Sequence, residues 1–564
     1  MSKYWWQSTN IYQIYPRSFQ DGNGDGMGDL KGIITRLDYL KDLGVEVIWL
    51  SPINKSPMCD NGYDISDYYT IDPIFGTNED MDELLAEAKK RDIKIIMDLV
   101  VNHCSIEHEW FQKAKADPEG EYGQYFYIRK GVDGKAPNNW RSIFRGPAWD
   151  KIEGTDYYYL HLFDPGQPDL NWENPKLRAE IYDMINYWLD KGVAGFRLDA
   201  ITYIKKEEGL PSYPADSEDG MVSVSHGSLC RPGIDEFLHE MKEKTYGNEC
   251  LTAGETAGVP DERLFDFIGI EDGHFSMIFD FDPLILDTHY EGSNGFFCQA
   301  REWEVEELKE KFFHTQMQIQ PEGWIVNVLE NHDSPRIIDH LLKEDGQNFY
   351  GASMLAVMSM CRRGTPVIYQ GQEFGMRNFP FESIDMYDDV SSKGEYDIAL
   401  EHGFSKEEAL KCVQRRSRDN ARYPVSWDAS ENAGFTTGKP WLPVAPEHTT
   451  VNAAAALADP DSLYYVYKKL LAMRKDDEIG QVMVFGKFNP YKPEQKNLVA
   501  YTRFMDEEFE AGSLLILCNY QGQAQTVEIP ASNYDVVYGN YKDKAINGKS
   551  VELKPYEAVI LKIK

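Results

Sequence analysis

Short apolar strand signals alternate with helix signals along most of the chain, and this alternation restricts the possible fold more than any other feature. Eight segments have the length and apolar composition of buried strands: residues 11–15, 47–50, 94–99, 195–198, 251–254, 275–279, 324–329 and 366–369. Most of them are separated by stretches with apolar residues at helical spacing. Alternating strands and helices predict a parallel sheet covered by helices, and eight such units fit a closed (β/α)₈ barrel.

Capping residues predict where several of the helices begin and end. Asp29 and Asn78 stand before amphipathic stretches at N-cap positions, and Asn174-Pro175 combines an N-cap with proline at the first helical position. Gly44 and Gly192 follow the last apolar residue of a stretch, where a left-handed glycine ends a helix. The predicted helices therefore fall between the predicted strands.

Two other stretches divide the chain into predicted domains. Residues 104–173 are rich in Tyr, Trp, Gly, Asp and Pro and show weak periodicity, which predicts a small inserted domain because a structureless loop of that length is uncommon. From about residue 480, short strand signals with few helix signals predict an antiparallel β-sandwich domain. The predicted domains are a barrel of residues 1–103 and 174–479, an inserted domain of residues 104–173 and a C-terminal β domain of residues 480–564.

Charge and the distribution of apolar residues exclude several classes of function. The formal net charge is −35, from 93 acidic and 58 basic residues, which disfavours binding to nucleic acid or to an anionic membrane. The chain lacks an apolar run of the ~20 residues that a membrane helix needs, and its first residues lack the apolar segment of a secretory signal. We therefore expect a cytoplasmic protein whose eight cysteines, none in a CxxC pair, are reduced thiols.

Polar residues follow the predicted strands at the end where barrel enzymes carry their catalytic groups. The third to fifth strands and the seventh strand lead into the segments Asn102-His103, Arg197-Leu198-Asp199, Glu255 and His332-Asp333. A single aspartate at a strand end is most often a cap or turn residue. Caps do not explain three carboxylates, two histidines and an arginine that all meet at one rim.

These segments resemble the motifs of the α-amylase superfamily of glycoside hydrolases, glycoside hydrolase family 13. The resemblance rests on residues 98–103, 195–199, Glu255 and 331–333, and it extends in matching order over essentially the whole chain. Residues 167–172, 371–376 and 417–422 resemble the branch of oligo-1,6-glucosidases and α-glucosidases.

The resemblance implies a retaining mechanism, which uses two carboxyl groups ~5–5.5 Å apart. Asp199 would be the nucleophile, Glu255 the general acid/base, and Asp333 the carboxylate that stabilises the transition state and grips sugar hydroxyls. Arg197 precedes Asp199 by two residues and points to the same face of the strand, so we expect it to favour the ionised nucleophile. Glu255 must be protonated in the resting enzyme to donate to the leaving oxygen.

The resemblance also implies a set of substrate-binding residues. Asp60 would bind sugar hydroxyls, Tyr63 would stack on the ring, and Arg418 would pair with Asp60 to close the pocket, so that only single terminal glucoses are released. For Phe163 the alternative is a place in the core of the inserted domain. The full predicted substrate-binding set is Asp60, Tyr63, His103, Phe163, Gln167, Arg197, His332 and Arg418.

The residue after the predicted nucleophile bears on linkage. It is Ala200, whereas relatives that prefer α-1,6 bonds tend to have valine, and a smaller side chain leaves room for a different leaving-group direction. We therefore expect an exo-acting α-glucosidase that favours α-1,4 or sucrose-type linkages in small oligosaccharides, with an oligo-1,6-glucosidase as the alternative. Residues 379–389 lack the charged loop of sucrose isomerases. A non-catalytic relative that accompanies a membrane transporter is a remote alternative, because this chain keeps all three carboxylates.

A loop near the amino terminus has the composition of a cation site. Oxygen-bearing residues alternate with glycines, which suits a hard cation such as Ca²⁺, with Mg²⁺ as the alternative ion. The loop differs from an EF-hand because its twelfth position is Gly32, and a glycine-rich turn without an ion is the other interpretation. The predicted ligands are Asp21, Asn23, Asp25, Asp29 and the carbonyl of Met27. We expect no catalytic cofactor, and a monomer or a weak homo-oligomer.

Overall fold

Eight parallel strands close into a barrel in the computed structural model, which describes residues 4–144, 146–287, 301–320, 322–530, 533–542 and 548–564. Each strand pairs with its neighbours in chain order, and the eighth pairs with the first. The strands are β1 Ile11–Ile14, β2 Val47–Leu50, β3 Lys94–Val100, β4 Gly195–Asp199, β5 Leu251–Gly254, β6 Met277–Phe279, β7 Ile325–Asn327 and β8 Thr365–Tyr369. The predicted (β/α)₈ barrel is confirmed.

A helix follows each barrel strand and covers its outer face. These helices are α1 Leu30–Leu43, α2 Asn78–Lys90, α3 Pro175–Lys191, α4 Ile234–Lys244, α5 Leu264–Ile268, α6 Val305–Gln318, α7 Phe349–Met360 and α8 Leu463–Met473. Further short α-helices are Pro16–Phe19, Glu109–Ala116, Ser225–Ser228, Ile337–Leu341, Val390–Glu401, Lys406–Arg416, Asp419–Arg422, Ala453–Ala458 and Gly480–Phe485. The 3₁₀ turns are Trp5–Ser8, Tyr122–Tyr125, Ile201–Tyr203, Asp261–Arg263, Asp282–Leu284, Glu344–Gly346, Gln372–Phe374, Ile384–Met386, Glu431–Gly434 and Pro446–Thr449.

The predicted helix ends agree with the structure except at α2. The Asp29 carboxylate accepts from the Gly32 N–H at the start of α1, and Gly44 ends that helix in the left-handed conformation with φ 101°. The prediction that Asn78 caps α2 is wrong, because Thr77 is the N-cap and Asp80 completes a capping box with it. The reciprocal hydrogen bonds between Thr77 and Asp80 therefore satisfy the N–H groups at the start of α2.

The segment between β3 and α3 lies over the carboxyl ends of the barrel strands. It contains an antiparallel sheet of Ile128–Lys130, Tyr157–Leu160 and Trp149–Lys151, and its strand Trp140–Arg141 pairs with Val222–Ser223 from the loop after β4. The two segments share a hydrophobic core that includes Trp140, Trp149, Leu160, Leu210 and Val222. We call residues 122–170 together with residues 204–228 the cap.

The C-terminal part is antiparallel. Its five-stranded sheet contains, in spatial order, Lys487–Pro490, Leu498–Phe504, Leu514–Asn519, Ala558–Ile563 and Tyr534–Gly539, and a second sheet pairs Gln525–Glu528 with Ser550–Leu553. Alternation along the strands sends Leu498 and Ala500 into the core between the two sheets, while Val499 and Tyr501 pack against the barrel core. A short hairpin of Asn54–Lys55 and Asp67–Ile71 completes the strands.

Two sequence expectations can be compared with the rest of the described residues. No helix in these segments is long and apolar enough to cross a bilayer. Six cysteines are free thiols, but Cys412 is disulfide-bonded, so the expectation that all eight are reduced is wrong.

Candidate active site

The guanidinium of Arg197 binds the carboxylates at the ends of β3, β4 and β5. Its Nη1 lies 2.8 Å from Asp98 Oδ1 and 2.5 Å from Asp199 Oδ1, and its Nη2 lies 2.8 Å from Glu255 Oε2. Arg197 and Asp199 share one face of β4, as the two-residue period requires. Two of the predicted catalytic carboxylates, which are remote in the chain, therefore share one buried cation.

This cluster contains more negative charge than one cation can offset. Burial raises the pKa of Asp199 well above its usual value; Arg197 opposes the rise, and Glu255 and Asp98 add to it. Burial also raises the pKa of Asp98 to about 6, against the lowering effect of Arg197. The sequence argument considered only Arg197 and predicted an ionised Asp199. Three carboxylates around one guanidinium therefore disfavour full ionisation of Asp199 more than Arg197 alone would suggest.

The backbone after β4 positions Glu255. The Ala200 N–H donates to Glu255 Oε2 at 2.9 Å, and the Glu255 N–H donates to the Leu198 carbonyl at 2.9 Å. Ala200 makes its contact in the left-handed conformation, with φ 44° and ψ 32°. The Glu255 side chain is 28% exposed, against 11% for Asp199. Glu255 is therefore more accessible to solvent than Asp199, as its predicted role in proton transfer requires.

The loop after β7 brings Asp333 and His332 to the same rim. Asp333 Oδ1 lies 2.7 Å from Arg422 Nη2 and 3.3 Å from Arg418 Nη1. Burial acts to raise the pKa of Asp333, but His332, Arg418 and Arg422 outweigh it and hold that pKa well below its usual range. Asp333 is therefore a fixed negative charge.

His332 is held as a neutral ring. Burial lowers the pKa of His332 to about 3. Its Nδ1 lies 2.8 Å from Gln13 Nε2, which can only donate, so the proton of the neutral ring is on Nε2. That nitrogen lies 3.0 Å from Asp333 Oδ2 and 2.6 Å from Tyr63 Oη. The Tyr63 hydroxyl in turn donates to Asp98 Oδ2 at 3.1 Å, which links the two groups of carboxylates.

The cap reaches the pocket through Gln167 and Phe163. Gln167 Nε2 donates to Asp60 Oδ2 at 3.3 Å and lies 3.1 Å from His103 Nε2. The half-buried Phe163 ring packs on the cap core and lies 5.2 Å from the His103 ring. Phe163 thus packs on the core of the cap beside His103, and its role in substrate binding stays a prediction. Burial lowers the pKa of His103, so that its ring is also neutral.

Arg418 forms ion pairs with carboxylates from three separate segments of the chain, and its predicted role is to close the pocket. Its Nη2 is 2.9 Å from Asp60 Oδ1 and 2.6 Å from Asp389 Oδ1, and its guanidinium carbon is 5.3 Å from the centre of the Phe144 ring. Burial acts to raise the pKa of Asp389, but Arg418 and Arg422 lower it to about 2. We call Asp60, Asp333, Asp389, Arg418 and Arg422 the closed end.

The contacts above join every predicted catalytic and substrate-binding residue into one cluster. Three members were absent from the predicted set: Asp98, Asp389 and Arg422. Asp98 and Arg422 fall within the motif segments 98–103 and 417–422, which therefore held a signal for them. The motif segments contain no such signal for Asp389, because only folding brings the loop of Asp389 to Arg418.

In the loop predicted to bind a cation, side-chain oxygens accept hydrogen bonds from the backbone N–H groups of the same loop. Asp21 Oδ1 accepts from the amides of Asn23 and Gly24, Asn23 Oδ1 from Asp25, and Asp25 Oδ1 from Met27. The Asp29 carboxylate caps α1. Within the parts of the chain that the structure describes, no three carboxylate, histidine or cysteine side chains form a group that could hold a metal. The loop supplies the oxygen atoms that Ca²⁺ prefers, but these carboxylates are not gathered into one ligand sphere.

Comparison with known proteins gives matches along the whole chain. Residues 13–482 match a family profile described as the alpha amylase catalytic domain, and residues 498–560 match the alpha-amylase SusG C-terminal domain. An oligo-1,6-glucosidase of Bacillus cereus is 42% identical over 575 aligned positions, with 100% of each chain covered. A trehalose-6-phosphate hydrolase of Bacillus subtilis (strain 168) is 39% identical, with 99% of this chain and 98% of that chain covered.

Among solved structures, a variant of a trehalulose synthase in complex with Tris superposes with a TM-score of 0.92. It is 38% identical and covers 99% of this chain and 100% of its own. The solved structure therefore shares the fold over the full length of this chain, and the names of the three relatives describe three different enzymes.

Proposed function

The chain belongs to the α-amylase family of glycoside hydrolases, family 13, and we propose that within it the chain is a retaining, exo-acting α-glucosidase. Its substrates would be short oligosaccharides with a terminal α-linked glucose. The observation that carries the proposal is the set of contacts from Arg197 to both Asp199 and Glu255 at the ends of adjacent strands.

The proposed reaction has two steps. Asp199 attacks the anomeric carbon and forms a glycosyl ester while the glycosidic C–O bond breaks, and Glu255 gives its proton to the leaving oxygen. Water then attacks the same carbon, Glu255 takes the proton from it, and Asp199 leaves. The proposed mechanism requires that Glu255 carry a proton and that Asp199 be ionised at the moment of attack. Positive charge that develops on the sugar would favour this arrangement, since Asp199 and Asp333 would be the nearest anions.

The closed end supports exo action. Arg418 binds Asp60 at 2.9 Å and Asp389 at 2.6 Å, and the carboxylates of Asp60 and Asp333 can accept hydrogen bonds from glucose hydroxyls. A chain that extended beyond the glucose would have to displace these buried ion pairs, which would leave charges unpaired. We therefore propose release of one glucose at a time.

Two observations bear on linkage and point in different directions. Ala200 touches Glu255 through its N–H and presents only a methyl group, which supports the α-1,4 or sucrose-type preference. The name of the Bacillus cereus relative supports the second candidate, an oligo-1,6-glucosidase. We favour the first candidate, because Ala200 leaves more room beside Glu255 for a leaving group than a valine would.

The test is a hydrolysis panel of maltose, isomaltose, sucrose and trehalose, with the anomer of released glucose followed by NMR. We expect α-glucose as the first product, and faster turnover of maltose or sucrose than of isomaltose. Initial release of β-glucose would refute Asp199 as nucleophile. An isomaltose preference would select the oligo-1,6-glucosidase, and conversion of sucrose to an isomer would select a third reaction.

Hydrolases of this family need no catalytic cofactor, and we propose a structural Ca²⁺ in the loop of Asp21, Asn23, Asp25, Met27 and Asp29. The support is the alternation of oxygen donors in the sequence. Removal of the ion with EGTA would lower the melting temperature by several degrees, and Ca²⁺ would restore it more effectively than Mg²⁺. An unchanged melting temperature would favour the metal-free turn.

We also propose a cytoplasmic protein that is a monomer or a weak homo-oligomer, with small oligosaccharides and no nucleic acid or membrane as partners. The net charge of −35 supports the last two statements. Light scattering after size exclusion, over a tenfold range of concentration, tests the oligomeric state.

A further inference from the structure

We propose that Tyr203 is a specificity-determining residue whose ring supports a neutral, ring-shaped leaving group; this inference rests on the function proposed above. Glu255 marks the leaving-group side of the pocket, because it would protonate the leaving oxygen. The 3₁₀ turn Ile201–Tyr203 begins directly after Ala200, whose N–H contacts Glu255. The Tyr203 N–H donates to the Ala200 carbonyl at 3.0 Å, so this ring belongs to the turn that starts at the acid/base.

The rings near Tyr203 form a row that runs toward the glucose site. The Tyr203 ring meets the Phe163 ring edge to face, with centroids 6.0 Å apart and planes at 75°. The Phe163 ring lies 5.2 Å from His103, a predicted glucose ligand. Both aromatic residues are half-buried and pack on the cap core. A leaving group that departs from glucose on the Glu255 side would therefore meet Tyr203 next along this row.

Lys206 fixes the backbone of Tyr203. Its ammonium donates to the Tyr203 carbonyl at 2.8 Å and to Asn102 Oδ1 at 2.9 Å, and it lies 2.6 Å from Asp169 Oδ2. The three N–H groups thus have three acceptors, and Lys206 is only 3% exposed. Because this ion ties the turn to the end of β3 and to the cap, the backbone that carries the ring is fixed before a substrate binds, which lowers the entropy lost on binding.

The charges around this segment favour a neutral leaving group. Lys205 pairs with Glu173, Lys206 with Asp169, and Arg231 with Glu207. A phosphate would have to take one of these cations from its carboxylate. An aromatic ring with paired cations behind it suits the C–H face of a second sugar ring or an aryl group.

The experiment compares leaving groups that differ only in whether they can stack. Tyr203→Ala and Tyr203→Phe are assayed on p-nitrophenyl α-glucoside, maltose and α-glucosyl fluoride, whose fluoride is too small to reach the ring. For Tyr203→Ala we expect kcat/KM to fall about 5- to 10-fold on the first two substrates and less than twofold on the fluoride. Tyr203→Phe should retain wild-type values, because the ring and not the hydroxyl is used.

Tyr213→Ala is the matched control, since Tyr213 is also half-buried and packs on the cap core through Trp140, with centroids 6.5 Å apart. It should show no dependence on the leaving group. An equal loss on all three substrates for Tyr203→Ala, or no loss on any, would overturn the proposal. So would a wild-type preference for trehalose-6-phosphate over trehalose. Absence of wild-type activity on every substrate would instead reject the proposed function.

Discussion

The two ends of the pocket are built from different chemistry. At the closed end, Arg418 is bound by three carboxylates, of Asp60, Asp389 and Asp333, at 2.9, 2.6 and 3.3 Å. On the leaving-group side, the residues that follow the nucleophile present a methyl group and an aromatic ring, from Ala200 and Tyr203. At the closed end, charged groups hold one another in position through ion pairs. On the leaving-group side, apolar groups would select a ligand by its shape.

This difference predicts different tolerances at the two ends. A site of buried hydrogen-bonding groups rejects a ligand that leaves them unpaired by about 10⁴-fold or more, whereas an apolar surface discriminates by about 10- to 200-fold. Glucose should therefore be a strict requirement and linkage an adjustable one. The varied names of relatives with the same fold agree with this reading.

The largest effect is expected at Asp199, where the two ends meet. Asp199→Asn removes the nucleophile but keeps the shape of the side chain, so kcat on maltose should fall about 10³-fold or more with an unchanged melting temperature. An equal loss with a collapsed melting temperature would indicate a structural role instead.

Azide rescue separates the two catalytic carboxylates. With p-nitrophenyl α-glucoside, Asp199→Gly plus azide should yield the β-glucosyl azide, since azide enters the vacant nucleophile position. Glu255→Ala plus azide should yield the α-glucosyl azide from the covalent intermediate. The same anomer from both variants would contradict the assigned roles.

Arg418→Lys tests the closed end. Lysine keeps one positive charge but cannot reach Asp60, Asp389 and Asp333 with one rigid fork, so kcat/KM on maltose should fall about 10²-fold. The fall should be similar on α-glucosyl fluoride, because the closed end contacts glucose and not the leaving group. Arg416→Lys is the control: Arg416 is paired with Asp287 at 2.7 Å in the same stretch of chain, and its variant should stay within about threefold of wild type. A loss of kcat/KM on maltose but not on α-glucosyl fluoride would contradict the proposed separation between the closed end and the leaving-group side.

Ala200→Val tests the leaving-group side. The added methyl groups narrow the route near Glu255, and we expect the ratio of kcat/KM for isomaltose over maltose to rise about tenfold. The variant should also unfold about 1 kcal/mol more easily, because valine disfavours the positive φ of this position. Ala200→Gly removes the strain and the side chain together, and it should keep the wild-type ratio. An unchanged ratio in both variants would remove position 200 from the determinants of linkage.

The barrel could be predicted from the sequence because its strands and helix ends depend on interactions between residues that are close in the chain. Each barrel strand is a short apolar run, and caps such as Asp29 and Gly44 delimit its helix through contacts within a few residues. Asn78 shows the limit of that method, because two capping residues compete there and the reciprocal pair of Thr77 and Asp80 takes the amides. The strands Lys487–Pro490 and Tyr534–Gly539 were not predicted, since both are partly polar and lie at the edges of their sheet.

The site was predictable to the extent that its residues fall at strand ends or in motif segments. Its electrostatics were not, because the pKa of Asp199 depends on burial, Glu255 and Asp98 in addition to Arg197. Asp389 could not be predicted from the sequence either, because its contact with Arg418 exists only after the chain has folded. Sequence patterns thus located the groups, while their charges required the three-dimensional arrangement.

The smallest expected effect is the response of the closed end to pH. The pKa of Asp389 is lowered to about 2, that of Asp333 is held well below its usual range, and that of His332 is lowered to about 3. Between pH 5 and 8 both carboxylates therefore stay ionised and the ring stays neutral. In the Arg197 cluster, burial raises the pKa of Asp98 to about 6, within this range, and raises that of Asp199 well above its usual value.

The inhibition constant of glucose, a neutral ligand, should consequently change less than about twofold from pH 5 to 8, because Asp333, Asp389 and His332 keep the same charge over this range. Over the same range kcat/KM should rise from the acid side, because Asp98 beside Arg197 has a pKa of about 6 and Asp199 must be ionised to attack. Both quantities come from one titration of p-nitrophenyl α-glucoside hydrolysis against glucose at four pH values. If the inhibition constant followed kcat/KM with a tenfold change, glucose recognition would depend on the titrating cluster, and the separation of the two ends would fail.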